Sequence, residues 1–264
     1  MIVDGRDIAQ TVFAALAETV AAYAPKPVLG VVACAPTPES QKYIRMKQQR
    51  ADELGVTFAL RTLPDTATTG DMVHAIHEAV LVSHGVLVQL PLPEHIDTAT
   101  VVQAVPTTHD VDAFHLQDAA VLPPVAAAMR EVLLHHGVSI MGKRATVVGA
   151  GRLVGQPAAR WLRAAGALVT VVEKPVADLH TYTAAADIVV LGAGVPGLLQ
   201  PDMVREGVVI LDGGTTEDGG ALTGDADPAC AAKASLFTPV PGGIGPITVA
   251  VLYKNLIQLY QRQV

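Results

Sequence analysis

RATVVGAGRLVGQPAARWLRAAG, residues 144–166, is the stretch on which the fold turns. RATVVGA (144–150) is an apolar run of strand length, and QPAARWLRAAG (156–166) has helical periodicity. Gly149, Gly151 and Gly155 stand at the junction. Glycines there permit a tight turn and let main-chain N–H groups approach a pyrophosphate at the helix N-terminus. The spacing is G-x-G-x-x-x-G, one residue longer than the usual dinucleotide fingerprint, so a plain strand–helix turn is the competing reading. Glu173 tips the balance. It ends the next apolar run, ALVTVVE (167–173), about where an acidic residue meets an adenine ribose, ~20 residues on.

Outward from this unit the same alternation continues. DIVVLGA (187–193), GVVILDG (207–213) and ASLFTPV (234–240) are three more strand-like runs. Upstream, the helix-like DIAQTVFAALAETVAAYA (8–25) is followed by the strand PVLGVVACA (27–35) and a helix over 40–55. VTFALRTL (56–63), the helix-like DMVHAIHEAVLV (71–82) and GVLVQL (85–90) complete the first series. A polar, turn-rich stretch over 104–124 separates the two series, and a helix is expected from Thr248 to Gln263. The expectation is an α/β protein of two α/β domains, the second a Rossmann-like parallel sheet. The C-terminal helix packs back on the first domain, and a cleft lies between the two. The expected domains are 1–120, joined by 246–264, and 121–245.

Half of the 264 residues are apolar, ample for a core, and 18 basic against 25 acidic side chains leave a net charge of −7. That charge argues against nucleic acid or an anionic membrane as partner. Cys34 and Cys230 make no disulfide framework, which suits a reducing compartment. MIVDGRD lacks the apolar core of a signal peptide, and no stretch is long and apolar enough to span a bilayer. The expected location is the cytoplasm.

Four stretches carry candidate chemistry. SQKYIRMKQQRADELG (40–55), read as a helix opened by Thr37 and Pro38, puts Ile44, Ala51 and Leu54 on one face. Lys47 falls within that apolar arc, one turn after Tyr43, where a snorkelling lysine is the ordinary alternative to a functional one. GVLVQLPLP (85–93) ends a strand in Gln89 at what would be the ligand side of a parallel sheet, although an ordinary polar strand end reads the same way. HDVDAFH (109–115) offers His109, Asp110, Asp112 and His115, but no second ligand cluster accompanies them, and no metal site is expected. An aspartate there is suited to accept paired N–H bonds from an amino-pyrimidine edge. TPVPGGIGPITVA (238–250), with three prolines and three glycines over 238–246, reads as a rigid wall for a flat ligand or as a linker.

Together these stretches resemble the methylenetetrahydrofolate dehydrogenase/cyclohydrolase family over nearly the whole chain, from IVDGRDIA (2–9) to PVPGGIGPITVA (239–250). The most specific parts are Y-x-x-x-K at 43–47, VQLPLP at 88–93 and DVD at 110–112. The resemblance implies oxidation of methylene- to methenyltetrahydrofolate with NADP or NAD, then hydrolysis to formyltetrahydrofolate, in one-carbon metabolism serving purine biosynthesis. It makes Lys47 the catalytic lysine, with Tyr43 stacked on the folate, Gln89 tuning the lysine and Asp112 holding the pterin edge. Leu90, Pro91, Pro241, Gly242, Gly243 and Pro246 would complete the folate site. The dinucleotide would meet Gly149, Gly151, Arg152, Val154, Gly155, Glu173, Lys174, Gly192, Ala193, Gly194, Gly214 and Thr215. A buried Lys47 would have a lowered pKa and either activate water or, as an ammonium, stabilise developing negative charge. A homodimer through the Rossmann-like domain is implied as well.

The departures from the family concentrate on the nucleotide side. Ala113 follows the pocket aspartate where glycine is usual, and PPVAAA (123–128) replaces P-C-T-P-x-G. Gly151 stands for a serine, Ala150 for the arginine of some relatives, Glu173 for a histidine, Val176 for a threonine and GTT (214–216) for G-I-N. Glu173 would repel a 2′-phosphate and favour NAD, whereas Lys174 pulls towards NADP. Two alternatives to the bifunctional enzyme follow: a cyclohydrolase with weakened or lost dehydrogenase activity, and a non-catalytic folate- or nucleotide-binding paralogue.

Overall fold

The computed structural model of the protein describes residues 1–115, 120–173, 178–218 and 221–264. In chain order the elements are α1 (Gly5–Ala21), β1 (Val28–Cys34), α2 (Pro38–Leu54), β2 (Thr57–Leu63), α3 (Thr69–Val82), β3 (Gly85–Val88) and α4 (Thr98–Gln103). Then come α5 (Pro124–His135), β4 (Arg144–Val148), α6 (Gly155–Ala164), β5 (Leu168–Val172), α7 (His180–Thr183), β6 (Ile188–Leu191) and β7 (Val209–Asp212). A hairpin of β8 (Thr216–Asp218) and β9 (Ala221–Thr223), the short β10 (Leu236–Phe237) and α8 (Ile244–Tyr260) close the chain. The chain divides into two compact units: Thr11–Pro123 with Val249–Val264, and Met1–Gln10 with Pro124–Thr248.

In the first unit β2-β1-β3 form a parallel sheet with β1 in the middle. A strand paired on both edges and covered on both faces must be apolar throughout, and β1 is. Leu29, Val31 and Leu87 point into a core shared with Leu16, Ala51, Leu54 and, from α8, Leu252, Tyr253 and Leu256. Val32, Cys34, Val86 and Val88 point the other way, onto Met72, Ala75 and Ile76 of α3. The segment Asp110–Asp112 lies along the free edge of β3: Asp110 bridges Val86 in parallel, and the Val86 N–H donates to His109 O.

The second unit holds the parallel sheet β10-β7-β6-β4-β5. The chain runs outward from β4 to β5, then returns to the other side for β6 and β7. The order therefore reverses between β4 and β6, and at such a switch point the loops beyond the carboxyl ends leave room for a ligand. Val189, Leu191 and Ile210 build its core with Val148, Leu199 and Phe237.

Several sequence expectations need correction. The first helix begins at Gly5 and ends at Ala21, short of residue 25, because Pro25 cannot continue it. The last helix starts at Ile244 rather than Thr248, since Pro246 falls in a first turn that needs no N–H from it. The strand expected over 234–240 is reduced to Leu236–Phe237. Helix α5 begins at Pro124, so PPVAAA opens a helix whose Ala126, Ala127 and Ala128 are buried. Helix α4, capped by Asp97, and the β8–β9 hairpin carried too little periodicity to be read.

Candidate active site

Helix α2 has the predicted start: Thr37 accepts the Ser40 N–H, Pro38 follows, and Gly55 in the left-handed region closes the helix. Its buried face is Ser40, Ile44, Ala51 and Leu54, with Lys47 half-buried beside it. Lys47 Nζ donates to Gln89 Oε1 at 2.9 Å. Gln89 follows β3 directly and is buried; its N–H still donates to Val32 O, which extends the ladder by one residue. Its side-chain Nε2 donates to Leu90 O at 2.7 Å, so the amide oxygen is turned towards the lysine. The peptide bond between Leu90 and Pro91 is cis. Tyr43, one turn before Lys47, leaves half its surface exposed and offers an open ring face.

Asp112 stands in the turn beyond the Asp110 bridge. Burial pushes its carboxyl up to about 7, against the pull of the Lys47 charge and with a further push from Asp110. Burial in turn lowers the Lys47 pKa, and Asp112 opposes that shift. The two groups thus lie within electrostatic reach, and each holds the other nearer its charged form. Asp110 is buried with its pKa raised; its carboxylate accepts the His115 N–H. The histidines are engaged elsewhere, His115 Nε2 with Val105 O and His109 Nδ1 with Thr108 Oγ1. Ala113 completes the turn at φ 54, a left-handed conformation that glycine adopts more readily. Lys47, Gln89 and Asp112 are therefore assembled by one unit from a helix, a strand end and an edge turn.

The other stretches lie in the second unit, at two places. Pro241, Gly242 and Gly243 form the lead into α8 and Pro246 stands in its first turn; the Val240–Pro241 bond is cis, and Gly243 N–H donates to Pro239 O. The glycine turn follows β4. Gly149 has φ +93, and a Cβ there would come within 2.5 Å of Gly192 O, so the loops after β4 and β6 touch at the switch point. A Cβ on Gly155 would lie 1.8 Å from Gly149 O, which locks the turn to the head of α6. Val154, at the N-cap of α6, supplies no side-chain hydrogen bond to that helix. Gly151 and Arg152 are exposed just before it, and Glu173 is exposed directly after β5, next to Gly149 in the sheet register. Lys174 and Val176 lie outside the described residues.

Sequence reasoning missed what holds this loop cluster. The Asp225 carboxylate, fully buried, accepts the N–H groups of Ala193 (2.6 Å), Gly194 (3.0 Å) and Val195 (2.7 Å). A Cβ on Gly214 would meet that carboxylate at 2.2 Å, so the loop after β7 packs onto it; Thr215 beyond is exposed. Asp212, at the end of β7, accepts from Gly214 and Ala226, and burial pushes its carboxyl up to about 6. The signal available was Asp212 ending the apolar run VVILD; nothing marked Asp225.

An uncapped helix start, glycines in close approach and an acidic residue at the next strand end fit a dinucleotide. The comparisons agree. The description "Tetrahydrofolate dehydrogenase/cyclohydrolase, catalytic domain" matches residues 3–112, and the NAD(P)-binding domain of the same family matches residues 123–264. The bifunctional protein FolD of Bordetella avium is 36% identical over 277 residues, covering 99% of this chain and 97% of its own. The crystal structure of the bifunctional FolD methylenetetrahydrofolate dehydrogenase/cyclohydrolase from Campylobacter jejuni superposes with a TM-score of 0.94 at 31% identity, over 100% of this chain and 99% of that one. The Trypanosoma brucei enzyme, solved with NADP cofactor and inhibitor, gives 0.90 at 32% identity, over 100% and 98%.

Proposed function

The chain belongs to the tetrahydrofolate dehydrogenase/cyclohydrolase family, and from this premise we propose that it oxidises methylenetetrahydrofolate to the methenyl form and hydrolyses that to formyltetrahydrofolate. The observation that carries the reading on this chain's own residues is the Lys47–Gln89 hydrogen bond with Asp112 coupled to the same lysine. We assign the folate to the unit Thr11–Pro123 with Val249–Val264, and the dinucleotide to the unit built on β4–β7.

In this reading Asp112 as a carboxylate accepts paired N–H groups from the pterin edge, and Tyr43 stacks its exposed ring on the folate. Leu90 and Pro91 border that site. Burial lowers the Lys47 pKa; as an amine the lysine takes a proton from the water attacking the methenyl carbon, and as an ammonium it stabilises the negative charge that develops there. Gln89 holds the amine in place, since its oxygen is turned to Lys47 by the bond to Leu90 O. The dinucleotide, when bound, supplies the hydride acceptor. Gly149, Gly151, Arg152, Val154 and Gly155 would hold its phosphates. The loops at Gly192–Gly194 and Gly214–Thr215 would flank it.

Glu173 supports NAD over NADP, because an exposed carboxylate at the ribose end repels a 2′-phosphate and accepts from ribose hydroxyls. A homodimer through the second unit, for which β5 offers a sheet edge, and a cytoplasmic role in supplying one-carbon units for purine biosynthesis complete the proposal.

The test is to incubate the purified protein with methylenetetrahydrofolate and NAD or NADP, following the reduced nicotinamide. Hydrolysis of methenyltetrahydrofolate is measured on the same preparation. Turnover in both supports the reading, with NAD the better acceptor. Loss of the oxidation alone leaves a cyclohydrolase, which Ala150, Gly151 and the recast PPVAAA segment would explain. Failure of both overturns the proposal.

A further inference from the structure

We propose that Tyr253 and Asn255 of α8 are positioning residues that set Lys47 and Asp112 in register with each other; this rests on the catalytic reading of that pair given above. Tyr253 is fully buried, and its hydroxyl donates to the main-chain carbonyl of Lys47 at 2.5 Å. The Ala51 N–H points at the same hydroxyl. The phenol thus meets α2 at the Lys47 carbonyl, beside the Ala51 N–H one turn on. A leucine would fill this core position without needing any partner. The tyrosine instead ties the rotation of α2, at the one residue that carries the amine, to α8. Phe13 packs against the same ring, with centroids 6.4 Å apart, and keeps it from swinging.

Asn255 does the corresponding work two residues on. It is buried, and its Nδ2 donates to Val111 O and Leu122 O, both at 2.9 Å. Val111 is the residue before Asp112, so the amide pins the turn that presents the carboxylate. The bonds from 253 and 255 leave opposite sides of α8, one reaching α2 and the other the Asp110–Asp112 edge. The helix therefore acts as a spacer of fixed width between the amine and the carboxylate. A shift of either by about 1 Å is enough to cost much of the rate.

Tyr260 supplies an internal control. It lies on the same helix and is buried, but it donates its hydroxyl to Pro25 O at 2.7 Å and packs its ring against Tyr23 and His84. The experiment compares Tyr253→Phe, Asn255→Ser, Tyr260→Phe and Lys47→Met by thermal melting and by kcat and KM for methenyltetrahydrofolate hydrolysis. The expected result is a kcat about tenfold lower for Tyr253→Phe with KM within about twofold. Asn255→Ser should raise KM several-fold, and Tyr260→Phe should lower the melting point alone. The proposal is overturned if Tyr253→Phe and Asn255→Ser behave like Tyr260→Phe, losing stability with wild-type kinetics. If one of the two cannot be isolated folded, the other decides. Lys47→Met separates the two levels: if it retains full activity, the catalytic reading itself is wrong. If it is inactive while Tyr253→Phe and Asn255→Ser are unaffected, only the positioning role falls.

Discussion

The Lys47 amine donates to the Gln89 amide oxygen at 2.9 Å, while the nitrogen of the same amide is tied to Leu90 O. One side chain at the end of β3 thereby orients the amine that α2 brings in. The expected cost of breaking the arrangement depends on which partner is removed. Lys47→Met should lower cyclohydrolase kcat about 100-fold or more, the scale of a lost proton carrier. Gln89→Leu leaves the lysine in place but unheld and should cost less, about tenfold. Equal losses would mean that Gln89 does more than orient.

The pH dependence is set by Asp112, whose carboxyl lies at about 7 in the free protein. Only the ionised form accepts both N–H groups of a pterin edge, so kcat/KM for methenyltetrahydrofolate should fall as pH drops through about 7. Asp112→Asn should flatten that limb. Stability runs the opposite way. A folded-state pKa above the unfolded value means that the folded chain binds the proton more tightly, so this group's contribution declines as pH rises from about 4 to 7. A urea midpoint that rises over this range in wild type, relative to Asp112→Asn, would contradict the assignment.

Asp225 should affect one activity and spare the other. Its carboxylate holds Ala193, Gly194 and Val195 through three main-chain N–H groups. Asp225→Asn keeps the shape but turns an N–H₂ towards at least one of those donors. We expect the KM for the dinucleotide to rise about tenfold and stability to fall by about 2 kcal/mol, the worth of a bond to a charged acceptor. Methenyltetrahydrofolate hydrolysis, measured without dinucleotide, should be retained.

Cofactor choice should respond to Glu173, which is exposed at the end of β5. Glu173→Gln removes the charge and keeps hydrogen-bonding capacity, so kcat/KM with NADP should improve about tenfold relative to NAD. An unchanged ratio would place the discrimination elsewhere.

Ala113 lies at φ 54 beside Asp112. Left-handed backbone costs an alanine about 1–2 kcal/mol, and glycine's greater freedom in the unfolded chain returns about 0.5–1 kcal/mol of that. Ala113→Gly should therefore stabilise by about 0.5 kcal/mol, seen as a higher urea midpoint, with catalysis preserved.

Much of this architecture is written locally. Apolar runs of strand length marked the five parallel strands of the second sheet; β4, β6 and β7 are almost wholly buried and leave little room for polar residues, whereas β5 at the edge is partly exposed and β10 is shorter than its run. Thr37 and Pro38 marked the start of α2 through capping geometry that depends only on neighbouring residues. Lys47 stood out as a cation on an apolar arc, and Glu173 and the glycines were legible by their spacing from a strand. Helix α5 was missed because PPVAAA reads as a breaker followed by small residues, and its burial is decided by what packs on it.

The sequence by itself determined the alternation of elements and the glycine turn and singled out the candidate groups, since each is marked by residues within a few turns of one another. Tertiary structure alone decided which groups meet. Gln89 reaches Lys47 across 42 residues, Asp225 gathers the loop after β6 across some 30, and Tyr253 reaches the Lys47 carbonyl across 206. A hydrogen bond leaves no local pattern when its partners are far apart in the chain. Nothing near Tyr253 or Asp225 in sequence differs from ordinary core or loop, and only folding brings a carbonyl or a row of N–H groups into reach.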